Sequence, residues 1–371
     1  MKESNKLQQT WMRLLMTAVT AVIGGFLFQW LGMPIPWLLG PMVTVFAFAR
    51  LLGSVRPYWP TTLRDSGIVI VGYMLGLSFT LETFREIGEQ LPTMALLTVL
   101  LLIGTFLIAL LVAKLSGLPL ATVLIGSIPG GLSQMVALAD ELPGIDLTVV
   151  TFLQVSRLMM IIFCVPLLIF SPVIGASIHH ATADSAAAAA SAAAGWSGLF
   201  PHVLVYAAAC IGCALLWKKI RFPTAFLLGP MIATLALHLS GYAGPALPQG
   251  LVNLSQLLIG GYLGLMLKPE KLANKLKITM LAALSGVLLI LCTVGLSLLL
   301  TRLHAVPLST SLLSLSPGGM DQMGIIAQEV NADLTFVVCY QLFRMLFIFI
   351  AVPPVLKLIF RARREKITAA L

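Results

Sequence analysis

The sequence predicts an all-α polytopic membrane protein. It is built from two inverted repeats of about five transmembrane helices, each repeat holding one Pro-Gly-Gly broken or re-entrant helix. Three observations predict this. The chain of 371 residues is 59% hydrophobic and 10% charged, with a mean hydropathy of +1.00, whereas soluble domains carry roughly 25% charged residues. Its motifs recur in the same order in both halves. Its Lys and Arg fall on one side of the membrane when each half crosses an odd number of times.

The apolar spans run roughly over 14–31, 37–52, 67–81, 94–113, 120–139 and 147–170. They recur over 199–217, 226–239, 251–267, 278–300, 308–327 and 334–360. A helix needs about 20 residues to cross the hydrocarbon, and the second span of each half is short. The run after Arg13 has a counterpart in mid-chain, so it reads as part of the repeated unit and not as a signal peptide.

The duplication rests on four matches. Leu38-Leu-Gly-Pro-Met42 returns as Leu227-Leu-Gly-Pro-Met231, Gly72-Tyr73 as Gly261-Tyr262, Pro129-Gly-Gly131 as Pro317-Gly-Gly319, and Gln154-x-x-Arg157 as Gln341-x-x-Arg344. The offset drifts only from 189 (41 to 230) to 187 (157 to 344). Residues 14–170 are therefore repeat 1 and 199–360 repeat 2, with a basic cytoplasmic tail at 361–371. Residues 171–198 hold an Ala/Ser tract, and low complexity reads as a solvated linker.

Charge decides the orientation. Let each half cross five times, its Pro-Gly-Gly segment entering and leaving on one side, with the N-terminus inside. Then 19 of the 23 Lys and Arg lie inside, Arg85 and Arg302 lie outside, and Arg157 and Arg344 stay within spans. Six crossings would move seven more outside, making eight with Arg85. The positive-inside rule favours the odd count, hence inverted repeats in a plasma or inner cell membrane with both termini cytoplasmic. The same loop distribution argues against nucleic acid as the reason for the net charge of +9.

Candidate chemistry follows from what a bilayer forbids. Irregular backbone at membrane depth is tolerated only where it is buried in protein or lines a wet cavity. Pro removes a donor and Gly-Gly frees the dihedrals. Pro129, Gly130, Gly131, Ser133 and Gln134, with Pro317, Gly318, Gly319, Asp321 and Gln322, thus form the candidate substrate and ion site. Free helix N-termini there attract anions, and freed carbonyls suit cations. Gln154 with Arg157, and Gln341 with Arg344, are three residues apart, so each pair shares a helix face. An intramembrane Arg either neutralises an anionic solute or ties broken-helix carbonyls. Asp321 stands where repeat 1 has Ser133; it reads as a coupling group for H+ or Na+, or as the counter-ion of an arginine. Asp146 and Asp333 read as N-caps, and the Gly-Pro-Met breaks as kinks for close helix packing.

Enzyme chemistry finds no support. The five histidines pair with no Cys, Asp or Glu at metal-ligand spacing inside a span. No nucleophile elbow, phosphate loop or cofactor fingerprint is present, so no cofactor is expected. The five cysteines sit in apolar segments and read as small buried hydrophobes, Cys210-Ile-Gly-Cys213 included.

With these signatures the chain resembles the membrane-bound AbrB family, over about 14–360. That family is described by such a duplicated unit, and its members are labelled as regulators or as ammonia monooxygenases. It is distantly similar to the cation–proton antiporter and anion transporter superfamily. The resemblance implies crossed broken helices and a small solute, with an effect on gene expression as the alternative. Nothing resembles the soluble DNA-binding regulator of the same name. The expected function is a secondary transporter of a small anionic or amphoteric solute in a lipid bilayer; a homodimer is an open assembly.

Overall fold

A computed structural model describes residues 2–51, 57–79, 81–142, 144–171, 202–220, 224–242, 244–266 and 275–368. The linker expected at 171–198 lies outside these beyond Ser171. The described chain is all-helical. In repeat 1 the helices are α1 (Lys2–Trp30), α2 (Pro36–Leu51), α3 (Thr61–Leu77), α4 (Leu81–Ser116), α5 (Leu120–Ser127), α6 (Leu132–Glu141) and α7 (Leu147–Ile169). In repeat 2 they are α8 (His202–Lys219), α9 (Ala225–Leu239), α10 (Gln249–Met266), α11 (Lys275–His304), α12 (Leu308–Leu315), α13 (Met320–Glu329) and α14 (Leu334–Thr368). Each element of one repeat has its counterpart in the other.

The protein is a polytopic membrane protein. Among the described residues, six helical stretches are long and apolar enough to cross a bilayer: Gln9–Trp30, Gly88–Ser116, Leu147–Ile169, His202–Lys219, Leu276–His304 and Leu334–Leu356. Their burial sorts them. Only 17–33% of the stretches in α1, α4, α8 and α11 is buried, against 61% in α7 and 50% in α14. The first four leave most of an apolar surface uncovered by protein, which suits lipid contact. The last two carry the Gln-x-x-Arg pairs inside protein.

The chain packs as two compact units, and each takes part of both repeats. One comprises Met1–Glu86, Ile162–Leu267 and Asp321–Thr335; the other comprises Ile87–Ile161, Lys268–Met320 and Phe336–Leu371.

In the first unit the repeats exchange partners. α3 packs on α9: a Cβ at Gly72 would lie 2.5 Å from the carbonyl oxygen of Leu227, and one at Gly76 2.5 Å from that of Met231. α10 packs on α2 in the same way, with Gly260 against Leu38 (2.4 Å) and Gly264 against Met42 (2.6 Å). Glycines four apart let membrane helices touch backbone to backbone. The Leu-Leu-Gly-Pro-Met motif is the surface they touch. Its own glycine serves another crossing. A Cβ at Gly40 would lie 2.2 Å from the carbonyl oxygen of Gly24 on α1, and one at Gly229 2.8 Å from Ala214 on α8.

The second unit holds both Pro-Gly-Gly breaks. Its apolar core gathers Val112, Val123, Ile125, Met135, Val150 and Ile348, among others.

Candidate functional site

Both breaks open with the same three-residue turn. α5 ends at Ser127, and Ile128 is extended (φ −61, ψ 129). The amide of Gly130 then donates to the carbonyl of Ile128 at 2.8 Å, a three-residue turn centred on Pro129. In repeat 2, Ser316 is extended (φ −64, ψ 123), and Gly318 N donates to Ser316 O at 2.9 Å around Pro317. Gly319 has φ +97, which requires glycine. In repeat 1, Gly131 caps α6 with φ −63.

The broken segment of repeat 1 returns to the side it starts from. The amide of Asp146, beyond the end of α6, donates to Thr122 Oγ1 at the start of α5 (3.4 Å). A segment crossing the bilayer would hold these residues a membrane apart. From Asp146, whose Oδ1 caps Thr148 N (2.8 Å) and Val149 N (3.2 Å), α7 runs back in alongside α5. This is the N-cap that the sequence predicts.

A broken helix leaves carbonyls without donors, and here α7 supplies them. Gln154 Nε2 donates to the carbonyls of Ile125 (2.7 Å) and Ile128 (3.0 Å). Arg157 Nη1 donates to those of Ser127 (3.0 Å) and Ile128 (2.8 Å), and its Nη2 to Gln154 Oε1 (2.8 Å). Repeat 2 reproduces the clasp. Gln341 Nε2 reaches Leu313 O (2.7 Å) and Ser316 O (2.9 Å), Arg344 Nη1 reaches Leu315 O (2.9 Å), and Arg344 Nη2 donates to Gln341 Oε1. All four side chains are buried, with 2–9% exposure. The freed carbonyls thus take a cation that the chain itself supplies.

Neither guanidinium has a carboxylate partner among the described residues, where the ion pair is Arg64–Asp65 (2.6 Å). The two are close enough to repel each other. In repeat 1 two buried donors are left over, Arg157 Nε and Ser127 Oγ; in repeat 2 the Tyr340 hydroxyl is another. Of these three, Arg157 stands out in the sequence as an intramembrane arginine, and the two hydroxyls do not. Ser127 and Tyr340 lie in apolar runs where a hydroxyl ordinarily bonds its own helix.

The helices that follow the breaks differ. α6 starts without a side-chain cap; Ser133 and Gln134 lie in its first turn, and their side chains fall outside the described residues. α13 carries Asp321 in its first turn. Gln322 Nε2 donates to Asp321 Oδ2 (2.8 Å). Repeat 2 therefore has a carboxylate in the first turn of the helix after its break, where the sequence of repeat 1 has Ser133.

A sequence model of the family described as "Transition state regulatory protein AbrB" matches residues 37–360. The chain is 26% identical over 384 residues to the uncharacterized protein YhjN of Bacillus subtilis (strain 168), covering 98% of this chain and 96% of that protein. It is 26% identical over 327 residues to a protein of Escherichia coli (strain K12) provisionally named regulator AbrB, covering 88% of this chain and 90% of that one.

Proposed function

The chain belongs to the AbrB family, and we propose that it is a secondary transporter of a small anionic or amphoteric solute. The carrying observation is the pair of buried, mutually repelling arginines that hold only neutral oxygens. An Arg at the bilayer centre costs at least ~2.5–3.5 kcal/mol, and two uncompensated ones call for a negative charge. In this reading the solute's anionic group takes, on α6, the place that the Asp321 carboxylate takes on α13. Arg157 Nε and Ser127 Oγ would donate to it, and Gln134 lies one residue beyond Ser133. Pro129, Gly130, Pro317 and Gly318 hold the breaks open, while Gln154 and Gln341 fix their shape. The re-entrant path and the charge count support inverted repeats, which present such a site alternately to the two faces.

Flux across proteoliposomes tests this. Small carboxylates and amino acids serve as labelled probes, with the variants Arg344→Ala and Asp321→Asn. The reading expects flux in the wild type and its loss in Arg344→Ala. Wild-type flux in both variants removes these residues from the mechanism. A second reading follows the name of the Escherichia coli relative: a membrane regulator would bind the same probes and show no flux.

A further inference from the structure

We infer that the end of α13, with α10, forms a binding site for a monovalent cation of the sodium class, built on Glu329 and Gln256. Glu329 closes α13. Its Oε1 accepts from Gln256 Nε2 at 2.9 Å and from Gln249 Nε2 at 3.4 Å. A carboxylate at a helix C-terminus faces the negative end of the helix dipole. The last turn of α13 has no basic residue, and no ion pair to Glu329 exists among the described residues. The carboxylate is thus held by two neutral amide donors, with no cation of the described chain beside it.

Independent evidence comes from the amides. Gln256 is fully buried at 0% exposure. Its Oε1, on the same amide that reaches Glu329, has no partner, and neither has Oε1 of Gln328, the neighbour of Glu329. Both of these orphans are acceptors. One carboxylate with neutral amide oxygens is the ligand set of a hard monovalent ion; a divalent ion draws more charge and more oxygens. The residue that matches Gln256 in repeat 1 is Gly67 at the offset of 189, or Ile68 at 188. Repeat 1 therefore has no amide for a second such site.

The site would hold the coupling ion of the transport proposed above and rests on that reading for its use, but its existence does not. The test is accordingly binding alone. Radiolabelled sodium is titrated onto the purified full-length protein in detergent, with choline chloride holding the ionic strength. The wild type should bind in a saturable manner and near one ion per chain. Glu329→Gln should lose binding, and Gln256→Leu should weaken it about 10–100-fold, as loss of a positioning or ligating neighbour does at metal sites. Gln249→Ala, on the exposed rim, tests the same site if Glu329→Gln fails to elute as a monodisperse protein, and should also weaken binding. No saturable sodium binding by the wild type, or undiminished binding by monodisperse Glu329→Gln or by Gln249→Ala together with Gln256→Leu, overturns the proposal. Binding without flux would leave the site standing and remove the transport reading.

Discussion

Arg157 Nη1 donates to the carbonyl of Ile128 at 2.8 Å, so the charge one might assign to a solute is anchored on the backbone of the break itself. The guanidinium therefore has two duties. It satisfies α5, and its remaining Nε is buried without a partner. Arg157→Lys keeps the charge but not the planar fork. We expect it to lower both thermal stability and anion flux, whereas a purely charge-based role would leave flux near wild type.

The neutral half of the clasp is separable from the charge. Gln154→Leu leaves the carbonyls of Ile125 and Ile128 with fewer donors, and each buried orphan costs about 1–3 kcal/mol. Thermal unfolding in detergent should show a clear loss of stability, and Gln341→Leu should match it. An unchanged midpoint would mean that water replaces the amide.

The helix crossings give a steric prediction. A Cβ at Gly260 meets Leu38 O at 2.4 Å, while one at Gly212 meets nothing within 4 Å. Gly260→Ala should destabilise by about 1–3 kcal/mol through forced backbone shifts. Gly212→Ala, in a free helix interior, should be neutral or stabilising by about 0.5–1 kcal/mol. Folded yield and unfolding midpoint read both.

Much of this was legible in the sequence because duplication marks what is needed twice. Pro129 and Pro317 locate the breaks, and the spacing of Gln154 and Arg157 puts both on one face. The positive-inside count favours an odd number of crossings per half, but not which segment turns back. What the clasps hold was not legible, since the partners are carbonyls and any residue has one. Nor was the exchange of partners between repeats. The sequence matches Gly72 to Gly261, but Gly72 and Gly76 meet Leu227 and Met231 as Gly260 and Gly264 meet Leu38 and Met42, an equivalence that only packing reveals. Gln256 and Glu329 lie 73 residues apart, and neither shows a motif; an end-of-helix Glu ordinarily reads as solvated.

Re-entry predicts sidedness. In a cysteine-free background, Lys114→Cys before α5 and Asp140→Cys near the end of α6 should react with an impermeant maleimide from the same face of oriented vesicles. Labelling from opposite faces would make the broken segment a crossing helix.

The most direct test of the anion site uses the one sharp difference between the breaks. Asp321 places a carboxylate in the first turn of α13, and Ser133 places none in α6. Labelled carboxylate uptake is measured in proteoliposomes with wild type, Ser133→Ala and Ser133→Asp. The account predicts uptake by the first two and its loss in Ser133→Asp, whose carboxylate occupies the solute's place. Undiminished uptake by Ser133→Asp would contradict it.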